Sequence, residues 1–272
     1  LNDLPSEDEL ASRREGIRSR VAEAAQRAGR DSGEVALLAV TKGHPTELVL
    51  RAARAGFTLF GENRVVEGTR KIEAVRSRFP ALVWRLIGPL QTNKAKAALQ
   101  FFSAIESLDR ERLAARMEGL LAAEGRRMPV LIELNLGNEP TKSGASPEAA
   151  EELTRASLAC PHLEVRGLMA VPPFDPDPER SRPYFRRLRE IRERLADRFG
   201  VAFPELSMGM SHDFEVAVEE GSTEVRIGTA LFGPRQERPS NLSGGPCGPP
   251  NPQERPSNLS GGPCGPPNPL EA

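Results

Sequence analysis

The feature that most limits how this chain can fold is an eightfold alternation of short apolar runs with amphipathic stretches. The runs are residues 35–42 (VALLAVTK), 57–62 (FTLFGE), 82–88 (LVWRLIG), 101–107 (FFSAIES), 129–136 (PVLIELNL), 164–171 (EVRGLMAV), 206–208 (LSM) and 224–232 (EVRIGTALF). Between them, helical patterns cover residues 45–55, then a stretch ending near Phe79, then 91–99, 109–124, 146–158, 178–199 and 213–219. Several runs are continuously apolar, as expected of strands buried on both faces. Strict alternation of strand and helix predicts a parallel sheet. Eight such units in roughly 200 to 250 residues match a (β/α)8 barrel of the TIM type; an open doubly wound sheet is the second option. An extra helix precedes the first strand. Ser6 and Glu9 form a capping box, and the amphipathic pattern runs from there to about Gly29. No helix is expected after the eighth strand, so the N-terminal helix is expected to cover that gap.

The chain divides into one barrel over residues 1–235 and a tail over 236–272. The tail reads QERPSNLSGGPCGPPNP twice in succession. It is dense in Pro, Gly and Ser with little to bury, so disorder is expected. Two copies are too few for a solenoid.

The 272 residues carry a net charge of −1, which gives no general attraction to nucleic acid or anionic membrane. Cys160, Cys247 and Cys264 have no metal-ligand spacing and suggest a reducing compartment. The acidic start has no signal-peptide core. No apolar run reaches the roughly 20 residues needed to cross a bilayer. A cytoplasmic protein is expected.

Barrel active sites lie at the C-terminal ends of the strands. Lys42 closes the first run behind four apolar or small residues. A lysine in a dry wall has a lowered pKa and more neutral amine, as a Schiff-base lysine requires. Taken alone, a solvated lysine at a strand end is by far the commoner explanation. Ser207–Met–Gly–Met–Ser211 leads into a short helix, where small residues let backbone amides approach an anion; a serine-capped helix reads the same way. Gly228 and Thr229 form a second small-residue site at the eighth run, and the last two strands of such barrels commonly supply a phosphate site. Arg226 shares a face with Gly228 and needs an acceptor, either a ligand or a structural carboxylate. His44, His162 and His212 share no metal-ligand spacing. The basic stretch 180–198 interleaves acidic residues with one apolar stripe and reads as a solvated barrel helix.

Together AVTKGHP (39–45), FGENRVVE (60–67), LIGPLQTNK (86–94), TKSG (141–144), RGLMAVPP (166–173) and LSMGMSHDFEVAVEEGSTEVRIGTALFG (206–233) resemble the YggS/PROSC family of homeostasis proteins that bind pyridoxal 5′-phosphate (PLP). The resemblance implies a single barrel of the alanine-racemase N-terminal type (fold type III) without the C-terminal β domain. It implies PLP on Lys42 as a Schiff base, phosphate contacts from Ser211, Gly228 and Thr229, Arg226 at the pyridine nitrogen and Asn63 in the pocket. Where the family usually has a histidine on the third strand, this chain has Arg85; its role, and that of Lys142 in TKSG, is left open. The implied function is a carrier or regulator in PLP homeostasis, with apo PLP-dependent enzymes as acceptors. An amino-acid racemase and a phosphosugar-type barrel enzyme are the alternatives. Against racemisation, the one tyrosine, Tyr184, is expected on the outer ring, far from a second-base position.

Overall fold

The computed structural model describes residues 4–234; the repeated tail, with its expected disorder, lies outside them. Eight strands, β1 (Ala36–Val40), β2 (Leu59–Glu62), β3 (Val83–Leu86), β4 (Ala104–Leu108), β5 (Met128–Leu134), β6 (Leu163–Ala170), β7 (Glu205–Met210) and β8 (Glu224–Ile227), form a closed barrel in chain order. Every neighbouring pair is parallel, and β8 returns to β1 with Ala36 opposite Glu224 and Leu38 opposite Arg226.

The helices are α1 (Glu7–Arg27), α2 (Thr46–Arg54), α3 (Val65–Val75), α4 (Ala95–Phe101), α5 (Glu111–Glu124), α6 (Ala150–Leu158), α7 (Arg182–Phe199), α8 (Phe214–Glu219) and α9 (Thr229–Phe232). The capping box at Ser6 starts α1: Ser6 Oγ accepts from the Glu9 amide at 3.2 Å, and Glu9 accepts from the Ser6 amide at 2.7 Å. The buried stripe Leu10, Ile17, Val21, Ala24 packs α1 against α2, α8 and α9, so the N-terminal helix covers the gap between the last and first units. Arg13 fastens it by donating to the Leu231 carbonyl at 2.9 Å. The core is the layer between strands and helices, with Phe60, Leu86, Ile105, Phe185 and Phe214 fully buried. No described helix is long and apolar enough to cross a membrane.

Three sequence expectations change. The eighth run is not one strand: β8 ends at Ile227, and Thr229–Phe232 coil into α9. Leu231 and Phe232 stay buried in that turn, so a short apolar run conceals the switch; periodicity cannot separate a buried strand from a buried helical turn. A helix therefore does follow the eighth strand. The first run stops at Val40, leaving Lys42 in a turn two residues beyond β1. Phe101 belongs to α4, and the fourth strand begins at Ala104.

Gly88, just after β3, has no room for a side chain. A Cβ there would overlap the Asn63 carbonyl oxygen and stand 2.7 Å from the Asn63 Cα. Because the obstacle is backbone, Gly88→Ala displaces the β2 end that carries Asn63. Overpacking of this kind costs about 1–3 kcal/mol, and thermal denaturation should show Gly88→Ala melting several degrees below the parent.

Candidate functional site

At the C-terminal end of the barrel, the strand ends and following turns enclose a cavity of about 470 Å³, within the range of small-ligand sites. Lys42, Asn63, Ser211, Arg226, Gly228 and Thr229 all line it, as do Gly88, Glu133, Lys142, Ser143, Phe174 and His212. Every residue expected at the site from sequence is thus brought to one place.

The turn that carries Lys42 is held from beneath by a buried cluster. Lys71, on α3, is fully buried. Its ammonium donates to the Thr41 carbonyl at 2.6 Å, Glu62 Oε1 at 2.6 Å and Glu67 Oε1 at 2.8 Å, which uses all three of its protons. Thr41 Oγ1 also donates to Glu62 Oε1 at 2.6 Å, and the Gly43 amide donates to Glu67 Oε1 at 2.7 Å. Residues on both sides of Lys42 are therefore tied to the same charge cluster. Burial pushes the Glu62 carboxyl above its ordinary range, and Lys71 pulls the other way. Sequence reading missed this cluster. Its signal was a lysine on the buried stripe of α3, since Gly68, Lys71, Ile72 and Val75 share one face.

Ser211 reaches across from the end of β7 to β8. Its Oγ accepts from the Gly228 amide at 3.3 Å and the Ala230 amide at 3.2 Å. It does not cap α8: Asp213 holds the intervening turn, accepting from the Met210 amide at 2.8 Å and from Ser181 Oγ at 2.9 Å. Two backbone N–H groups and a hydroxyl thus converge at the cavity edge, a donor set suited to anion oxygens.

Arg226 is buried and donates to the Ala170 carbonyl at 2.7 Å and to Ser207 Oγ at 2.6 Å. Ser207 Oγ also lies 2.7 Å from Glu106 Oε2 and 2.9 Å from Glu224 Oε1. A guanidinium only donates and a hydroxyl owns one proton, so one of these carboxyls must itself carry a proton to complete the set. Burial first, then the neighbouring Glu106 charge, pushes the Glu224 carboxyl well above the usual carboxylate range.

Arg85 closes the far side of this array. It meets Glu205 at 2.7 Å, Glu224 at 3.1 Å and Glu106 at 3.4 Å, beside Ala36 and Thr223 at the opposite mouth of the barrel. It is absent from the C-terminal cavity. Lys142 does stand in the cavity wall, donating to the Pro172 carbonyl at 3.1 Å and pairing with Glu139 at 2.7 Å. Tyr184, near the start of α7, is not in the wall.

Glu133 was also missed. It is a carboxylate inside the apolar run of β5, 6% exposed. Ser143 Oγ donates to its Oε1 at 2.8 Å, while Oε2 has no partner. Burial raises its pKa to about 7, the Asp109 charge adds to this, and Ser143 and Arg226 oppose it.

Comparison with known proteins places this barrel. Residues 13–236 match the family model of the alanine racemase N-terminal domain. A curated relative from Aquifex aeolicus, described as a pyridoxal phosphate homeostasis protein, is 46% identical over 220 residues, covering 81% of this chain and 96% of its own length. The structure of PipY from Synechococcus elongatus PCC7942 with PLP bound superposes with a TM-score of 0.74 at 32% identity, covering 82% of this chain and all of PipY. An alanine racemase from Clostridium difficile 630, 12% identical with a TM-score of 0.64, shares the fold over 56% of its length. The chain belongs to the alanine racemase N-terminal domain family and, within it, to the pyridoxal phosphate homeostasis proteins.

Lys71→Met leaves Glu62 buried without its cation. Breaking a buried pair from one side costs about 3–5 kcal/mol. Chemical denaturation should show a loss of that order, partly restored in the double variant Glu62→Gln, Lys71→Met.

Proposed function

We propose that this protein binds pyridoxal 5′-phosphate at the C-terminal mouth of the barrel, as a Schiff base on Lys42, and acts in PLP homeostasis as a carrier or regulator without turnover of its own. The observation that carries this reading is the convergence of Lys42 with Ser211, Gly228 and Thr229 in one cavity of ligand size, where Ser211 also gathers the Gly228 and Ala230 amides. The residues fit the group: a primary amine for the aldehyde, two amides for phosphate oxygens, a cation for the ring, and an unpartnered buried oxygen on Glu133. The homeostasis proteins and the PLP-bound PipY structure among its relatives support the same ligand.

When bound, PLP supplies an electrophilic aldehyde and an electron-accepting ring. The chain's own residues do the rest. Lys42 provides the amine, from a turn held by Lys71. Ser211, Gly228 and Thr229 hold the phosphate. Asn63 lines the pocket, with Gly88 admitting its backbone. Arg226 faces the pyridine nitrogen, where a permanent positive charge disfavours protonation and weakens the ring as an electron sink. The acceptors are apo PLP-dependent enzymes of the cytoplasm.

Borohydride reduction of the PLP-loaded protein followed by peptide mapping should place a pyridoxyl group on Lys42; a pyridoxyl mass on Lys94 or Lys142 instead overturns the assignment.

A racemase would exchange the α-proton of its substrate with solvent. Mass spectrometry of alanine incubated in deuterium oxide with PLP-loaded protein should show no more incorporation than free PLP gives. Incorporation well above that level, abolished by Lys42→Ala, makes the protein an enzyme.

A further inference from the structure

Glu133 lines the cavity, and the reading above gives its unpartnered oxygen no partner or role. It sits on β5, four strands round an eight-strand barrel from β1, so its carboxyl and the Lys42 turn belong to opposite sides of one cavity. It is anchored on both backbone and side chain: the Ala145 amide donates to its carbonyl at 2.8 Å, and Ser143 fixes Oε1. Oε2 alone is left, buried and with no hydrogen-bond partner. An orphaned carboxylate oxygen in a low-dielectric wall is costly unless something completes it.

The surroundings decide what can complete it. Arg226 lies across from β8 but both of its terminal nitrogens are engaged, by Ser207 and Ala170. Lys142, from the loop after β5, is turned to Glu139 and the Pro172 carbonyl. Lys42 shares the wall from the β1 turn and, on the proposed reading, is used by the cofactor. From the end of β4, Asp109 adds negative charge, itself paired with Arg110. On β6 the register partner is Met169, which is apolar. His212, from the β7 end, is an exposed member of the wall. The ligand then adds a phosphate of about −1.5 to −2 charge. A bare carboxylate in the cavity wall and such an anion disfavour one another.

We infer that Glu133 takes up a proton from solvent when the phosphorylated cofactor enters and thereafter faces it as a neutral carboxylic acid, donating from Oε2 to an acceptor on the ligand ring. Glu133 is on this view a specificity-determining residue: as an acid it favours an anionic, acceptor-rich ligand, and as a carboxylate it opposes one. The inference rests on the proposed PLP site. Its proton balance is simple: one proton from water converts carboxylate to acid, and ligand release returns it.

The sign follows. With Glu133 half-ionised near pH 7 in the empty protein, loading requires proton uptake above that pH, so affinity falls as pH rises. The probe is pyridoxine 5′-phosphate, which carries the ring and phosphate but an alcohol in place of the aldehyde, so Lys42 cannot condense with it. Fluorescence titration from pH 6 to 9 should show wild-type affinity falling, relative to Glu133→Gln, by about tenfold per pH unit above pH 7. Calorimetry in buffers of different ionisation enthalpy at pH 8 should show wild type taking up about one more proton per ligand than the variant. Ser143→Ala retains the carboxyl but removes the donor that favours its ionised form, so the break should move to higher pH; this variant carries the test if Glu133→Gln does not fold. Parallel pH profiles and equal proton uptake in all three proteins overturn the inference while leaving the Lys42 site intact. Failure of both pyridoxine 5′-phosphate and PLP to bind overturns the site itself.

Discussion

The hydroxyl of Ser207 joins a guanidinium on its cavity side to two carboxyls on the other, and the barrel interior is organised around that junction. Arg226 donates to it, Glu106 and Glu224 flank it, and Arg85 neutralises the carboxyls from the far mouth. Such an array is stable only when each donor meets an acceptor, because a half-satisfied buried network is worse than an apolar core. A proton on one of the two carboxyls completes it. Arg226 is consequently fixed on its β7 side by groups deep in the barrel as well as by the Ala170 carbonyl above them. Truncating Glu106 or Glu224 therefore disturbs the cavity wall from a distance.

Around the mouth, the same economy of charge recurs. Lys71 takes three acceptors and in doing so ties down both neighbours of Lys42. The lysine proposed to hold the cofactor thus stands on a turn whose backbone has a fixed course. Its side chain can respond to the ligand without the turn having to reorganise. The C-terminal ends of β7 and β8 form the side proposed to take the anion, as the general plan of these barrels leads one to expect.

Much of this was legible before the structure. The eight-unit alternation gave the barrel, reading the strand ends collected Lys42, Ser211, Arg226, Gly228 and Thr229, and the family resemblance added Asn63; all of them meet in one cavity. Strand ends are legible because side chains there leave the packed wall, and small residues mark close backbone approach. The boundary at Gly228 was not legible, since Leu231 and Phe232 are buried whether the segment is extended or coiled. The buried ionisable groups were harder still. Glu62, Lys71, Glu106 and Glu133 each occupy an apolar run or stripe where charge is out of place; Lys71 meets Glu62 nine positions away and Glu133 meets Ser143 ten positions away, but other partners are remote. Glu106 meets Ser207 101 positions later, a pairing that no local pattern contains. Arg85 shows the converse: a resemblance flagged the position, and only the three-dimensional arrangement put it at the opposite mouth.

The contact between Ser211 and the amides of Gly228 and Ala230 has a consequence for the empty protein. Backbone donors arranged for an anion are ordinarily left wanting when the anion departs. Here the serine hydroxyl answers both of them, at 3.3 and 3.2 Å, so vacancy strands no donor. On the proposed reading, an arriving phosphate competes with a side chain already in place.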